Sequence, residues 1–470
     1  MSNKNRYYFI IALVLLVILQ SSRLAAAEWT MRSQVSVSET YIDNVSLAPK
    51  GEEREEFITG ITPGISLIGQ GNRLNTTMQY QFQGLYYAKE ERGVSHHRFN
   101  GQLDTELVTD LLFLDLNAAY RQQNITVQDR ISFDNLSLNA NRTDVTTYTI
   151  SPYLTHNFGD YATTLLRFSR NEVLYDTKVR NDTKGDSYLF RVNNGSKFKR
   201  MIWGASHERN EISAVQDIVI EKSELLLGYR IGPKTTARLV GGYEDNDYPH
   251  DAVRGGISES YWNAGLSWTP SHRTLIELSG GERFFGKTAS LSVQQSSRQM
   301  DVGIAYREDV TTISQLALRA GRADAQQEVT DARFLDEEFF TELTDEVFVR
   351  KNTSAFIVRR KGNSDVSLRI FDEKREYQSS GNEEKSYGAS LGGRARLAAR
   401  LDGHTSFYWQ KHQLNGDSES TLQYFVIGLD KEISSDINLA LDYRYSSQER
   451  DSLDSDYIQN MLHLGINVLF

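Results

Sequence analysis

The 470-residue chain has no cysteine and only six prolines. Small exported domains lean on disulfides, whereas a large hydrogen-bonded sheet does not. The absence of cysteine therefore excludes a disulfide-stapled miniature fold and remains compatible with export. Long apolar runs are nearly absent too. The one that exists, Phe9 to Leu19 (FIIALVLLVIL), has 11 residues, about half of the roughly 20 that a spanning helix needs. If the protein enters a bilayer, it does so with strands. A basic excess is also missing: 52 Lys and Arg stand against 62 Asp and Glu, a net charge of −10. Proteins that hold nucleic acid carry basic patches, so no nucleic-acid partner is expected.

That short run has a purpose of its own. Lys4 and Arg6 precede it, and Ala25-Ala26-Ala27 follows it with small residues at the positions a signal peptidase reads. Basic, apolar and small-residue regions in that order form a secretory signal peptide. Residues 1–27 are assigned to it, and residues 28–470 to a single domain.

What the chain has in quantity is Tyr (24), Phe (21) and Gly (33), at a mean hydropathy of −0.48. Apolar residues fall at every second position over long stretches. Leu74, Thr76, Met78, Tyr80 and Phe82 alternate with polar neighbours. So do Leu112, Leu114, Leu116, Ala118 and Tyr120; Trp262, Ala264, Leu266 and Trp268; Met300, Val302, Ile304 and Tyr306; and Ile437, Leu439, Leu441, Tyr443 and Tyr445. Successive strand residues point to opposite faces, so each stretch has one apolar and one polar face. A soluble sandwich alternates as well, but its strands average about 5 to 6 residues. These runs fit the roughly 9 to 11 residues of a tilted membrane strand. Tyr86, Tyr87, Tyr120, Tyr243, Tyr306, Tyr443 and Tyr445 lie near strand ends, where an interfacial aromatic girdle belongs.

Short and long connections alternate. Turn chemistry such as Gly69-Gln70-Gly71-Asn72, Gly232-Pro233 and Asp402-Gly403 marks ten short connections, one of them placed at 308–310. Eleven longer polar stretches separate them, including 43–55, 88–97, 124–143, 286–294 and 323–345. Outer-membrane barrels have short periplasmic turns and longer outside loops. The expected fold is all-β: a single transmembrane antiparallel up-and-down β-barrel of about 22 strands, within a range of 18 to 24. A propeller would require a recurring blade signature, and the chain has none. At the C-terminus, Leu462, Leu464, Ile466, Val468 and Phe470 alternate to the last residue. This strand resembles the signal read by the barrel assembly machinery, and it would pair with a first strand near Trp29 to Tyr41 to close the edge.

The block Val35-Ser36-Val37-Ser38-Glu39-Thr40-Tyr41-Ile42-Asp43-Asn44-Val45, followed by Leu47-Ala48-Pro49 and Ile61-Thr62-Pro63-Gly64-Ile65, resembles the outer-membrane proteins associated with the PEP-CTERM/exosortase system, within a broad β-barrel porin class. The resemblance is sharpest over residues 35–67. It implies a component of exopolysaccharide production and export in a Gram-negative outer membrane. The partners expected are outer-membrane lipid and lipopolysaccharide, the assembly machinery, polysaccharide and periplasmic export proteins. It carries no catalytic or binding residue across.

The chemistry of sites is sparse. No G-x-S-x-G elbow or H-E-x-x-H pattern occurs, and neither an enzyme activity nor a cofactor or metal is expected. His96-His97 is read as part of a polar loop. Gln79, Gln81, Gln83, Asp115, Asn117, Arg121, Arg238, Asp301, Arg307, Arg319, Arg394, Arg396, Asp442 and Arg444 fall on the polar faces of strands. An Arg facing mid-bilayer lipid costs about 2 to 4 kcal/mol, so these residues are expected to line the lumen. They fit either ion pairs that stiffen the wall or a polar path for a solute. The acidic runs Glu52, Glu53, Glu55, Glu56 and Asp336, Glu337, Glu338 read as solvated loops, with divalent-cation bridging to lipopolysaccharide as the alternative. The long stretch 323–345 is the candidate segment for folding inward and narrowing a pore.

Overall fold

The computed structural model describes residues 27–177, 180–251, 256–324, 344–416, 418–451 and 456–470. Residues 1–26 of the expected signal peptide and most of the 323–345 stretch, including Asp336, Glu337 and Glu338, lie outside them. The described chain forms 22 strands and one helix. The first eight strands are β1 (Glu28–Ile42), β2 (Glu56–Gln70), β3 (Leu74–Tyr87), β4 (Arg92–Val108), β5 (Leu112–Asn124), β6 (Arg142–Phe158), β7 (Ala162–Tyr175) and β8 (Thr183–Asn194). Then follow β9 (Met201–Ser213), β10 (Asp217–Gly232), β11 (Thr235–Asp247), β12 (Glu259–Ser271), β13 (Thr274–Arg283), β14 (Gly286–Ser296) and β15 (Met300–Thr311). After the helix α1 (Ile313–Asp324) come β16 (Phe348–Lys361), β17 (Ser364–Tyr377), β18 (Glu383–Ala398), β19 (Leu401–Leu414), β20 (Ser418–Ser434), β21 (Ile437–Arg450) and β22 (Tyr457–Leu469).

Each strand pairs antiparallel with its sequence neighbours, and β1 pairs with β22 from Gln34↔Leu469 to Ile42↔Met461. The sheet is therefore a closed barrel, which leaves no edge of unpaired backbone groups for lipid to meet. Prolines are accommodated where the ladder is interrupted. The β2–β3 register skips Thr62 and Pro63, and the β6–β7 register skips Ser151 and Pro152, since proline has no N–H to donate.

Alternation sorts the side chains. Ile61, Ile65, Leu154, Leu166, Leu225, Leu227, Leu239, Leu278, Ile304, Leu391, Ile427, Leu441, Leu462, Leu464 and Ile466 all lie exposed on the outer face. Tyr86, Tyr243, Trp262, Tyr387 and Tyr443 flank this band toward the long loops, and Phe158, Tyr161, Tyr229, Trp268 and Phe470 flank it toward the short turns. This is the two-girdle pattern of an outer-membrane barrel. Tyr87 departs from the girdle expectation. It faces inward, is 1% exposed, and donates to the carbonyl of Leu136 at 2.9 Å.

Three connections also differ from expectation: of the 88–97 stretch only 88–91 is loop, the rest belonging to β4. Residues 286–294 are not a loop but lie within β14, which joins β13 by a two-residue turn at 284–285, and the short turn placed at 308–310 lies at 297–299 instead. Gly286 adopts φ +106° at that tight corner, a conformation open to glycine. The apolar face of β14 is Ala289, Leu291 and Val293 between Thr288, Ser290, Ser292 and Gln294, too weak an alternation to stand out from a polar loop.

The resembling block is the β1–β2 hairpin. Val37 faces Ile61 across the ladder. Asn44, fully buried, folds the following loop onto itself: its Nδ2 donates to the carbonyls of Ala48 (2.8 Å) and Ile458 (3.0 Å), and its Oδ1 accepts from the Ala48 amide (2.8 Å).

Candidate functional site

The lumen is built from the face opposite the exposed apolar residues. Gln79, Gln81 and Gln83 on β3, Asp115, Asn117 and Arg121 on β5, and Arg238 on β11 alternate with outward residues such as Tyr80, Tyr86 and Leu239. So do Asp301 and Arg307 on β15, Arg394 and Arg396 on β18, and Asp442 and Arg444 on β21, opposite Ile304, Leu391 and Leu441. Arg319 is different: it lies on α1, not on a strand, with Nη1 3.1 Å from Asp309.

Most of these charges face an opposite one across the wall. Asp115 accepts from Arg167 Nη1 at 2.6 Å, and that guanidinium covers the Tyr153 ring at 4.0 Å. Arg238 lies 3.6 Å from Glu277, Asp301 pairs with Arg360, Arg394 lies 3.5 Å from Asp430, and Arg396 lies 3.2 Å from Asp402. His404 sits between two carboxylates, Nδ1 3.0 Å from Asp430 and Nε2 3.2 Å from Asp442, and Asp442 also accepts from Arg444 at 3.1 Å.

Exposure divides this wall along the barrel axis. Toward the short turns, Arg360, Arg394 and Arg396 have 56%, 44% and 54% of their side-chain surface exposed. Toward the long loops, Arg375, Glu373, Glu384 and His412 retain 3%, 6%, 2% and 4%. Charges of the second kind are bearable only when paired. Arg375 Nε accordingly donates to Glu373 at 2.6 Å, and His412 Nε2 lies 3.0 Å from Glu384.

The burial comes from segments folded into the long-loop half. Residues 125–141, between β5 and β6, place Val127, Ile131 and Phe133 against Phe371, Tyr408, Leu422, Tyr424 and Val426 of β17, β19 and β20. Leu136 and Leu138 of the same stretch meet Ile42, Val45, Ile58, Leu85, Tyr87 and Met461. Polar ties hold it: the Ile131 amide donates to Gln448 Oε1 (2.9 Å), Gln459 Nε2 to Ser137 Oγ (3.0 Å), and Arg450 Nη2 to the carbonyls of Val127 (2.8 Å) and Asp129 (2.7 Å).

The helix is the second obstruction. Thr312 and Gln315 form a reciprocal cap: the Gln315 amide donates to Thr312 Oγ1 (3.3 Å) and the Thr312 amide to Gln315 Oε1 (3.2 Å). Ile313, Leu316 and Ala317, at helical spacing, bury against Val145 of β6, Val173 and Tyr175 of β7, Phe348 of β16 and Tyr377 of β17. The helix leaves β15 and packs on β4 to β7, about nine strands away around the ring, so it crosses the lumen. Of the 323–345 stretch only the ends are described: Asp345 pairs with Arg180 at 3.2 Å, and just beyond it Val347 packs with Ile212, Ile218, Tyr248 and Ile257. Residues 325–343 lie outside the described chain. The inward folds of 125–141 and of α1 were missed, although apolar residues on a supposedly wet face, Leu422 under the first and Val145 and Val173 under the second, signal something packed over them.

His96 and His97 lie in β4, not in a loop. His97 faces outward beside Tyr80, Phe82 and Tyr120, and His96 Nδ1 is 2.8 Å from Gln122 Nε2. Glu56 is buried and accepts from the amides of Phe57, Lys89 and Glu90. Glu55 pairs with Lys89, whose hydrogen bond, with that of Tyr41, holds its carboxyl below the usual range. No cluster of metal-binding side chains occurs among the described residues.

No family model and no curated protein matches the chain. Solved structures do. A ferric enterobactin receptor mutant from Pseudomonas aeruginosa, in complex with enterobactin, aligns over 94% of this chain and 82% of its own at 9% identity and a TM-score of 0.50. The FrpB iron transporter of Neisseria meningitidis aligns over 93% and 81%, again at 9% identity and 0.50. With the girdles and the closed sheet, these similarities make the fold that of an outer-membrane β-barrel.

Proposed function

We propose that the protein resides in the outer membrane of a Gram-negative bacterium after export through its signal peptide, and serves exopolysaccharide production and export as a gated pore. In this reading the short turns lie in the periplasm, and outer-membrane lipid and lipopolysaccharide surround the apolar band. The exopolysaccharide assignment rests on the hairpin resemblance over residues 35–67. The pore assignment rests on one observation: a water-exposed, charge-lined vestibule on the short-turn side ends at a plug of residues 125–141 and α1. The structure is then the narrowed state, and passage requires the plug to move. Among the described residues no reacting constellation stands out in the vestibule, and the reading is non-enzymatic.

A second reading is a closed scaffold that docks periplasmic export components, favoured by how well the plug is packed. Planar-bilayer recordings separate the two. A pore predicts rare, small openings in the intact protein and steady, larger channels after deletion of residues 128–138. If the deletion variant folds, judged by its gel mobility without boiling, and still conducts nothing, the scaffold reading stands.

A further inference from the structure

Charge on the short-turn rim is distributed unevenly. Five consecutive short turns, 195–200, 233–234, 272–273, 297–299 and 362–363, carry Lys197, Lys199, Arg200, Lys234, Arg273 and Arg298 and no acidic residue. Lys361 extends the series at the end of β16. Apart from Lys197, which lies over the Tyr161 ring, and Lys234, which donates to the Pro270 carbonyl at 2.6 Å, these side chains reach into solvent. Lys199, Arg200, Arg273, Arg298 and Lys361 are exposed and have no carboxylate partner among the described residues. The remaining five turns look different. Arg73 is 3.5 Å from Glu106, Arg400 is 4.0 Å from Glu432, and Asp110, Asp160 and Asp436 add negative charge.

We infer that this crescent is the docking surface for a periplasmic protein that presents an acidic face. Three features select that occupant. Lipid headgroups surround the whole barrel, so an anchor to them calls for basic residues all the way round, whereas these cover one side only. A polymer threading the bore would meet the inward wall of the same sector, and there Arg238 and Arg360 are paired with Glu277 and Asp301, while the inward Arg191 and Arg307 stand singly on β8 and β15 and form no continuous track. The unpaired charge sits on the turn tips, outside the bore. Finally, ten strands at about 4.8 Å spacing give an arc of roughly 45 Å, long enough for an interface of ordinary size. In a chain of net charge −10, a one-sided unpaired basic rim gives electrostatic steering and orientation. The inference uses the orientation of the proposed function, with short turns in the periplasm, and holds whether or not the lumen conducts.

Site-specific photo-crosslinking of the full-length protein in its own cell envelope tests it. A photoreactive phenylalanine analogue replaces Arg298 in one strain, and Asp110 or Asp436 in controls. The expected result is one protease-sensitive adduct of discrete mass from position 298 and none from 110 or 436, with the captured peptide rich in Asp and Glu. Adding Arg200→Gln, Arg273→Gln and Lys361→Gln to the position-298 strain should lower the adduct at least tenfold while the barrel keeps its folded gel mobility. No adduct, equal adducts on both sides, a phospholipid adduct, or a periodate-sensitive smear that resists protease would each overturn the proposal. So would labelling of Arg298→Cys in intact cells by a membrane-impermeant maleimide, which would place the crescent on the cell surface.

Discussion

At the residue scale, the same chemical pair has different worth at the two ends of the lumen. Arg375 is 3% exposed and is shared by Glu373 and Glu384. Removing its guanidinium leaves carboxylates in a packed interior with less compensation, and breaking such a pair costs about 3–5 kcal/mol. Arg394, 44% exposed and 3.5 Å from Asp430, works in water, where a pair is worth under about 1 kcal/mol. Arg375→Ala should therefore lower the urea midpoint of the folded barrel clearly, and Arg394→Ala should leave it nearly unchanged. Equal effects from the two would contradict the division of the wall into packed and wet halves. The lipid face gives a third case. Leu464 is exposed on the outer surface, and Leu464→Arg should cost about 2–4 kcal/mol, read as reduced folded yield in membranes with Leu464→Ile as the tolerated control.

Elements explain what the sequence disclosed and what it hid. Strands such as β3, β12 and β21 were legible because one face meets hydrocarbon and the other water, so their composition alternates cleanly. β14 was not, because serine and threonine suit both a lumen wall and a loop. The plug was hidden for a related reason. Within 125–141 the residues Val127, Ile131, Phe133, Leu136 and Leu138 are spaced irregularly among Asn, Asp and Ser, since they follow the shape of a cavity and not the period of a strand or helix. Helix α1 escaped because its polar face and short length blend into the flanking residues; Thr312-x-x-Gln315 was the available start signal. The packing makes a prediction at this scale. Leu316→Asp places a charge among Val145, Val173 and Phe348 and should detach the helix, raising single-channel conductance and exposing 313–319 to protease. Thr312→Ala removes only the cap, worth about 1 kcal/mol, and should leave conductance close to that of the parent. If Leu316→Asp alters neither readout, the helix does not restrict the lumen.

For the whole molecule, the question is whether the paired charges of the wet half matter to a passing ion. Arg394 and Arg396 balance Asp430 and Asp402, and the local field near them is close to neutral. Replacing both arginines by alanine leaves the Asp430 and Asp402 carboxylates facing the water. In the channel opened by deleting residues 128–138, this should shift the reversal potential in a KCl gradient toward cation preference. The shift should be large in dilute salt and small at 1 M, where the screening length falls to about 3 Å. Salt dependence is the informative part, because a change caused by distortion of the wall would persist at high salt. An unchanged reversal potential in dilute KCl would remove both arginines from the path and leave them the role of stiffening β18 against β19 and β20.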